Sequence, residues 1–269
     1  MIEFTKIVRD ADVQAGWYQY VRTHSWVLGR VGLPGMPLEF LRESVVTEWI
    51  PADYADEWLM VNEDTGRRQW LQGSQKAAAS AGLIAAGDGQ PQRKEHRMTG
   101  GRLAEGQQIL ADRGESGCWQ IPTVEFFAGL PREPGQLLSR LRADSPTPPR
   151  FPGYVGELAY ALDALRGGLV PADLRAALYE ALLLLPKMRL VEQAVGPDGT
   201  PGYALVLDHS PIRTEVFVDA DTGHFMGERS TSFAASGGKP SAGTVTRSSA
   251  VVRSLADGIG LPPFKPQDD

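Results

Sequence analysis

The hydrophobic positions of this chain recur with two periods, and the period changes along its length. From Trp17 to Arg30 it alternates: Tyr18, Tyr20, Arg22, His24 and Trp26 share one face, and Trp17, Gln19, Val21, Thr23 and Ser25 share the other. A period of two predicts a long strand. The segment Gly32-Leu33-Pro34-Gly35-Met36-Pro37 predicts a turn or loop, and a second strand follows from Leu38 to Ile50. A hairpin is expected next, with Glu57 to Asn62 paired to Arg67 to Leu71. Ser74 to Ala81 is rich in alanine and reads as a helix with Ser74 available as its N-cap. Ahead of these strands, residues 2–13 read as a short amphipathic helix presenting Ile2, Phe4, Ile7 and Val8. Residues 82–120 follow no clear period and read as loop with short strands.

In the middle of the chain the period lengthens to that of a helix. Pro134 to Arg142 places Leu137, Leu138 and Leu141 on one side. After a break rich in proline, residues 154–166 align Val155, Leu158, Leu162 and Leu165, and Gly167-Gly168 stops them. Pro171 opens the next helix, where a missing N–H costs least, and the stripe Leu174, Leu178, Leu182 and Leu185 ends at Pro186. The last two form a helical hairpin whose apolar stripes need a sheet to cover. Alternation then returns in Met188–Val195, Tyr203–Asp208, Arg213–Asp219 and His224–Arg229, an antiparallel meander joined by short turns. Gly237 to Gly243 reads as a flexible loop, Thr244 to Arg253 as one last strand, and Leu261 to Asp269 as a proline-rich tail. The expected fold class is α+β, an antiparallel sheet packed on a helical hairpin. Residues 1–16 form an N-terminal helix in that division, residues 17–254 one β-rich domain with a helical insert at about 134–186, and residues 255–269 a tail.

Composition agrees with such a fold. Thirty glycines and twenty prolines among 269 residues supply many turns. The net charge of −6 offers no electrostatic footprint for nucleic acid, and the densest basic cluster, Arg93, Lys94 and Arg97, reads as a solvated loop. Cys118 is the only cysteine, so an internal disulfide is impossible, and a partly buried structural thiol is the expectation. The longest apolar run, Ala181 to Leu185, is far short of a membrane span. The first residues carry Glu3, Asp10 and Asp12 and do not resemble an export signal.

Two triplets invite a catalytic reading: Asp64-Thr65-Gly66 and Asp221-Thr222-Gly223. Paired Asp-Thr-Gly segments suit a dyad of buried aspartates sharing one proton. Here Asn62-Glu63 and Asp219-Ala220 precede them, and Arg67-Arg68 follows the first, so both aspartates are expected in solvated hairpin turns. His24, His96, His209 and His224 show no metal-ligand spacing, and no residue set suggests a cofactor. No Gly-x-Ser-x-Gly or phosphate-binding loop occurs. Glu39, Glu43 and Glu48 offer carboxylates on one strand, where alternating charge is expected to mark the wet face. All six tryptophans precede residue 120, which predicts a broad aromatic surface on the first strands.

The order of several segments resembles a family of actinobacterial proteins. They are Tyr18–Trp26, Thr47–Asp53, Leu130–Leu141, and Pro171–Leu182 running on through Val218–Glu228. Members of that family are single-pass membrane proteins with a large extracytoplasmic domain, often encoded beside sigma factors of the extracytoplasmic-function type. The resemblance implies a domain similar to the lipoprotein-carrier fold, in which a curved half-barrel sheet wraps on helices. It implies an extracytoplasmic, membrane-anchored place, with residues 1–16 as the linker after a span that this chain lacks; if Met1 is the native start, a cytoplasmic place is expected instead. Pattern and resemblance together lead to the expectation of a non-enzymatic binding or sensing domain for an apolar or lipid ligand, linked to an envelope or sigma-factor system. An enzyme acting on an apolar substrate in secondary metabolism is the alternative, and a structural interaction module is the second. The enzyme version requires strongly perturbed ionisable groups inside the concavity. The binding version requires that the helices leave part of it open rather than fill it.

Overall fold

Three strands of sixteen residues each open the fold: β1 (Tyr18–Leu33), β2 (Met36–Pro51) and β3 (Glu57–Gln72). The computed structural model describes residues 3–10, 12–33, 36–84, 89–101, 103–145, 155–209, 211–233 and 242–264. After β3 come α1 (Gln75–Ser80), β4 (Gln92–Thr99), α2 (Ala104–Arg113) and α3 (Val124–Ala128). Next are α4 (Pro134–Asp144), α5 (Gly156–Arg166) and α6 (Ala172–Leu183). The chain returns to strands with β5 (Met188–Val195), β6 (Pro201–His209), β7 (Ile212–Val218), β8 (Phe225–Ser232) and β9 (Val245–Ala256). All nine strands form one open antiparallel sheet in the order β4-β3-β2-β1-β9-β8-β7-β6-β5. Two meanders therefore meet at the centre, where β9 lies between β8 and β1.

Alternation gives the sheet two different faces. Val21, Ile50, Trp58, Met98 and Val251 point to the helices and share one core with Leu137, Leu141, Leu158, Leu162, Leu165, Leu174, Leu178 and Leu182. We call this the inner face. On α6 the stripe Leu174, Leu178 and Leu182 is fully buried, and each such leucine contributes about 1.5–3 kcal/mol. Glu133 caps α4 by accepting from the N–H groups of Gly135 and Gln136, and Ser74 caps α1 through Ala77 N–H. On the outer face Tyr18, Tyr20, Trp49, Leu59, Val61 and Ala256 form a second, smaller cluster. The chain after β9 covers it, with Trp49 Nε1 donating to the Leu261 carbonyl at 2.7 Å and the Trp17 and Phe264 rings 5.1 Å apart.

The structure departs from the sequence expectations in several places. Residues 57–72 form one strand rather than a hairpin, because Asp64-Thr65-Gly66 is absorbed as a bulge opposite Glu43. Gly66, at φ +73°, takes the left-handed position, and the Asp64 carboxylate accepts from its N–H. The N-terminal segment is not an amphipathic helix; a single 3-10 turn at Phe4–Lys6 buries Phe4 against Tyr179 and Tyr203. Residues 82–120 contain a helix as well as a strand, and the basic cluster lies exposed on the edge strand β4. The tryptophans do not make one aromatic surface: Trp58 and Trp119 belong to the main core, and Trp49 to the outer cluster. Most of the expected loop at 237–243, and residues 265–269 of the tail, lie outside the described residues. Cys118 is free and half-buried, as expected.

Candidate functional site

The helical layer does not fill the inner face. Among the described residues, one cavity lies at each end of the central strands.

The first, of about 320 Å³, lies where the start of β1, the end of β2 and β9 meet the α5–α6 turn. Its apolar wall includes Val13, Val124, Phe127, Leu169 and Val170. Gln19, Tyr54, His224, Arg132, Arg175 and Arg253 supply its polar lining. Three guanidiniums thus line one small space, and they differ in how they are held. Arg132 donates to Asp173 and to the carbonyls of Phe127 and Leu130, each at 2.7 Å. Arg175, only 5% exposed, donates to Asp10 Oδ1 and the Val170 carbonyl at 2.9 Å, to the Arg9 carbonyl at 2.9 Å and to the Gly223 carbonyl at 3.2 Å. Asp10 also accepts from Ala172 N–H at the start of α6. Arg175 thereby straps the N-terminal segment and the β7–β8 turn to α6. Arg253 has no such set: its Nε is buried without a hydrogen-bond partner, and no ion pair falls to it among the described residues.

Ionisation around this cavity is strongly altered. Burial lowers the His224 pKa to about 3, with the Arg175 and Arg253 charges adding to it, so its imidazole stays neutral; Nδ1 has no partner. Burial raises the Tyr179 hydroxyl, whose oxygen is also unpartnered. Burial lowers Arg253 from the ordinary arginine value, helped by the nearby Arg175 charge. Glu48 stands on the same face as Arg253, with Val21 of β1 between them in register. Burial raises its carboxyl to about 7 against the opposing pull of Arg253.

The second cavity, of about 470 Å³, lies between α5 and the inner face of β1 and β6–β9. Its wall is mostly apolar: Val27, Val155, Leu158, Leu162, Leu207 and Ile212. A charged cluster bounds it. Arg166 Nη2 donates to both oxygens of Glu228, at 2.7 and 2.8 Å, and Arg247 stands 3.7 Å from the same carboxylate. Arg166 also reaches Asp163 at 2.6 Å. Glu228 is 1% exposed, so this pair is a buried clamp from α5 to β8.

The residues singled out in the sequence divide differently from expectation. Asp64 sits in the β3 bulge and Asp221 in the β7–β8 turn, on different strands. In that turn the capping carboxylate belongs to Asp219, which accepts from the N–H groups of Asp221 and Thr222, while Gly223 supplies φ +65° and lies against Val8. Glu39 and Glu43 are not on a wet face, being 7% and 3% exposed. Glu43 accepts from Thr65 Oγ1 at 2.6 Å, pairs with His24 Nε2 at 2.8 Å and accepts from Arg67 Nη1 at 3.0 Å. Burial alone would raise its pKa, but the bonds from Thr65 and His24 and the Arg67 charge hold it low. A carboxylate so fully engaged is structural. Among the described residues no group of three or more His, Cys, Asp or Glu side chains suits a metal ion. Arg253 was legible only as a charge where alternation calls for an apolar residue, between Val251 and Leu255. Arg175 likewise interrupts the buried side of α6, beside Leu174.

Comparison with protein families, with curated proteins and with solved structures found no match for this chain. The described helices include none long and apolar enough to cross a membrane.

Proposed function

We propose that this is a binding or sensing domain, without catalytic activity of its own, which takes an apolar or lipid ligand between the sheet and its helices. The second cavity is the observation that carries this reading. Its volume of about 470 Å³ and its wall of Val27, Val155, Leu158, Leu162, Leu207 and Ile212 fit the size and apolar character of small-molecule sites. In this reading the sheet curves as a half-barrel, as in the lipoprotein-carrier fold. The extracytoplasmic place, a membrane anchor outside this chain and a link to a sigma-factor system belong to the same proposal, supported by the resemblance of the four segments named above.

The test uses a neutral probe, so that charge plays no part. Nile red should bind with enhanced fluorescence, and a short-chain diacylglycerol should displace it. Leu162→Trp, which places a larger ring into the cavity wall, should weaken Nile red at least tenfold while far-ultraviolet circular dichroism stays native. Absence of Nile red binding to the parent chain, or equal binding to the variant, refutes the reading.

One observation favours the enzyme alternative: the altered ionisation of Glu48, His224 and Tyr179 around the first cavity. A carboxyl near pH 7 suits general acid–base work. In that case Glu48→Gln should abolish turnover of an apolar ester, and an unchanged or absent rate rules the enzyme out.

A further inference from the structure

We propose that the first cavity is a binding site for a small organic anion, whose acidic group pairs with Arg253 and whose apolar body lies on Val124, Phe127 and Val170. The site is at the opposite end of the inner face from the apolar cavity, so the inference does not rest on that reading.

Three guanidiniums line this cavity, those of Arg132, Arg175 and Arg253. Arg132 and Arg175 are engaged by protein carboxylates and carbonyls. Arg253 lines the same space with its Nε buried and unpartnered. An arginine keeps its charge in proteins; this side chain is half-buried, and its buried Nε–H has no acceptor, which is unfavourable. The carboxylates nearby do not remove that cost. Asp10 is taken by Arg175 and by the N-terminus of α6. Glu48 makes no ion pair with Arg253, and desolvation opposes its ionisation. The remaining polar groups are neutral: Gln19, Tyr54 and His224, whose Nδ1 is also unpartnered. A surplus of fixed positive charge among neutral hydrogen-bonding groups selects an anion over a cation or a neutral molecule.

Geometry favours a planar oxyanion. The guanidinium presents a fork of donors suited to a carboxylate or phosphate. It lies against the α5–α6 turn at Gly168, where φ is +70° and an added Cβ would stand 3.5 Å from Nη1. The turn and the fork thus line the same cavity, in contact with each other. The volume of about 320 Å³ is at the small end of ligand sites. Val124 at the rim is 46% exposed, so the apolar wall reaches the surface.

The experiment compares three probes by isothermal titration and thermal melting: hexanoate, hexanol and inorganic phosphate. Hexanoate should bind the parent chain at least tenfold more tightly than hexanol or phosphate, and should raise its melting temperature. Arg253→Met keeps the side-chain volume and removes the charge. It should melt higher than the parent without any anion, and should lose at least tenfold in hexanoate affinity. Hexanol binding as well as hexanoate, phosphate binding best, or hexanoate binding unchanged in Arg253→Met would each overturn the proposal. If the variant fails to fold, the ranking of the three probes on the parent chain still decides. Nile red measured alongside reports on the apolar cavity, so failure there is distinguishable from failure at Arg253.

Discussion

At the residue scale, Glu48 and His224 shift in opposite senses, and the consequence is a dependence on pH that each partly hides. The carboxyl of Glu48 titrates at about 7 in the folded chain against an ordinary 4.5. Between those values the folded state holds more protons than the unfolded one, so stability falls as pH rises. His224 titrates at about 3 against an ordinary 6.5. In that window the unfolded state holds more protons, so stability falls as pH drops through 6.5 toward 3. At 1.36 kcal/mol per unit the upper bounds are about 3 kcal/mol for Glu48 and about 5 kcal/mol for His224, and both groups are only half-buried, which trims them. The two slopes oppose each other between pH 4.5 and 6.5, and single variants should separate them. Urea unfolding of Glu48→Gln should show stability rising steadily from pH 5 to 7. His224→Gln should show it falling over the same range. Neither group was legible as special in the sequence. Alternation assigns Glu48 to a face, but which face the helices cover is decided by chain elements more than a hundred residues away.

At the element scale, the β3 bulge and the α5–β8 clamp both depend on partners distant in sequence. Asp-Thr-Gly occurs twice, each time with its glycine at positive φ, but Asp64 accepts from the backbone within its own triplet whereas at the second triplet Asp219 does so. In Asp221-Thr222-Gly223 it ends a strand, as expected. In Asp64-Thr65-Gly66 the strand continues to Gln72, because Thr65 and Arg67 both bond to the buried Glu43 of β2. Only the partner strand distinguishes bulge from hairpin, and the partner is not a local property. Thr65→Val should therefore destabilise the chain by about 1–3 kcal/mol, since it leaves a buried carboxylate short of a donor. Chemical denaturation measures this directly, and His24→Gln, which can still donate, should cost less. The clamp makes a stronger prediction. Arg166→Met removes the bidentate partner of Glu228, leaving Arg247 at 3.7 Å as its remaining cation. The expected loss is about 3–5 kcal/mol. The double variant Arg166→Met with Glu228→Gln should recover part of it, which a cavity left by lost packing alone would not do.

At the scale of the whole molecule, most elements were legible and the way they join was not. The long alternation of β1, the leucine stripes of α4–α6 and the second meander all follow from local period. That β9 returns to lie between β8 and β1 does not, because Tyr18 and Ala256 are register partners drawn from opposite ends of the chain. The same pairing makes the sheet one body: without β9 the two meanders share no strand contact, and the inner face on which both cavities lie is divided. Its centre is also its best-covered part, since β1 and β9 have strand neighbours on both sides while β4 and β5 each leave one edge unpaired. A bulge on β5 adds to this, with Gln193 at positive φ within the break in register between Val191 and Ala194, and Lys187 at positive φ just before the strand. Hydrogen exchange followed by mass spectrometry should accordingly find the slowest amides in residues 18–27 and 247–256, and the fastest strand amides in β4 and β5. If the two meanders were instead independent units, protection in residues 247–256 would fall to the level of one meander alone. Gly227 offers the means to test the joint. It sits at φ +131° with the Ser249 carbonyl only 1.9 Å from where a Cβ would stand, so Gly227→Ala cannot be accommodated without parting β8 from β9. That variant should speed exchange across residues 247–256 and in β8 while leaving β2 and β3 protected, and the binding of any ligand that spans the inner face should weaken with it.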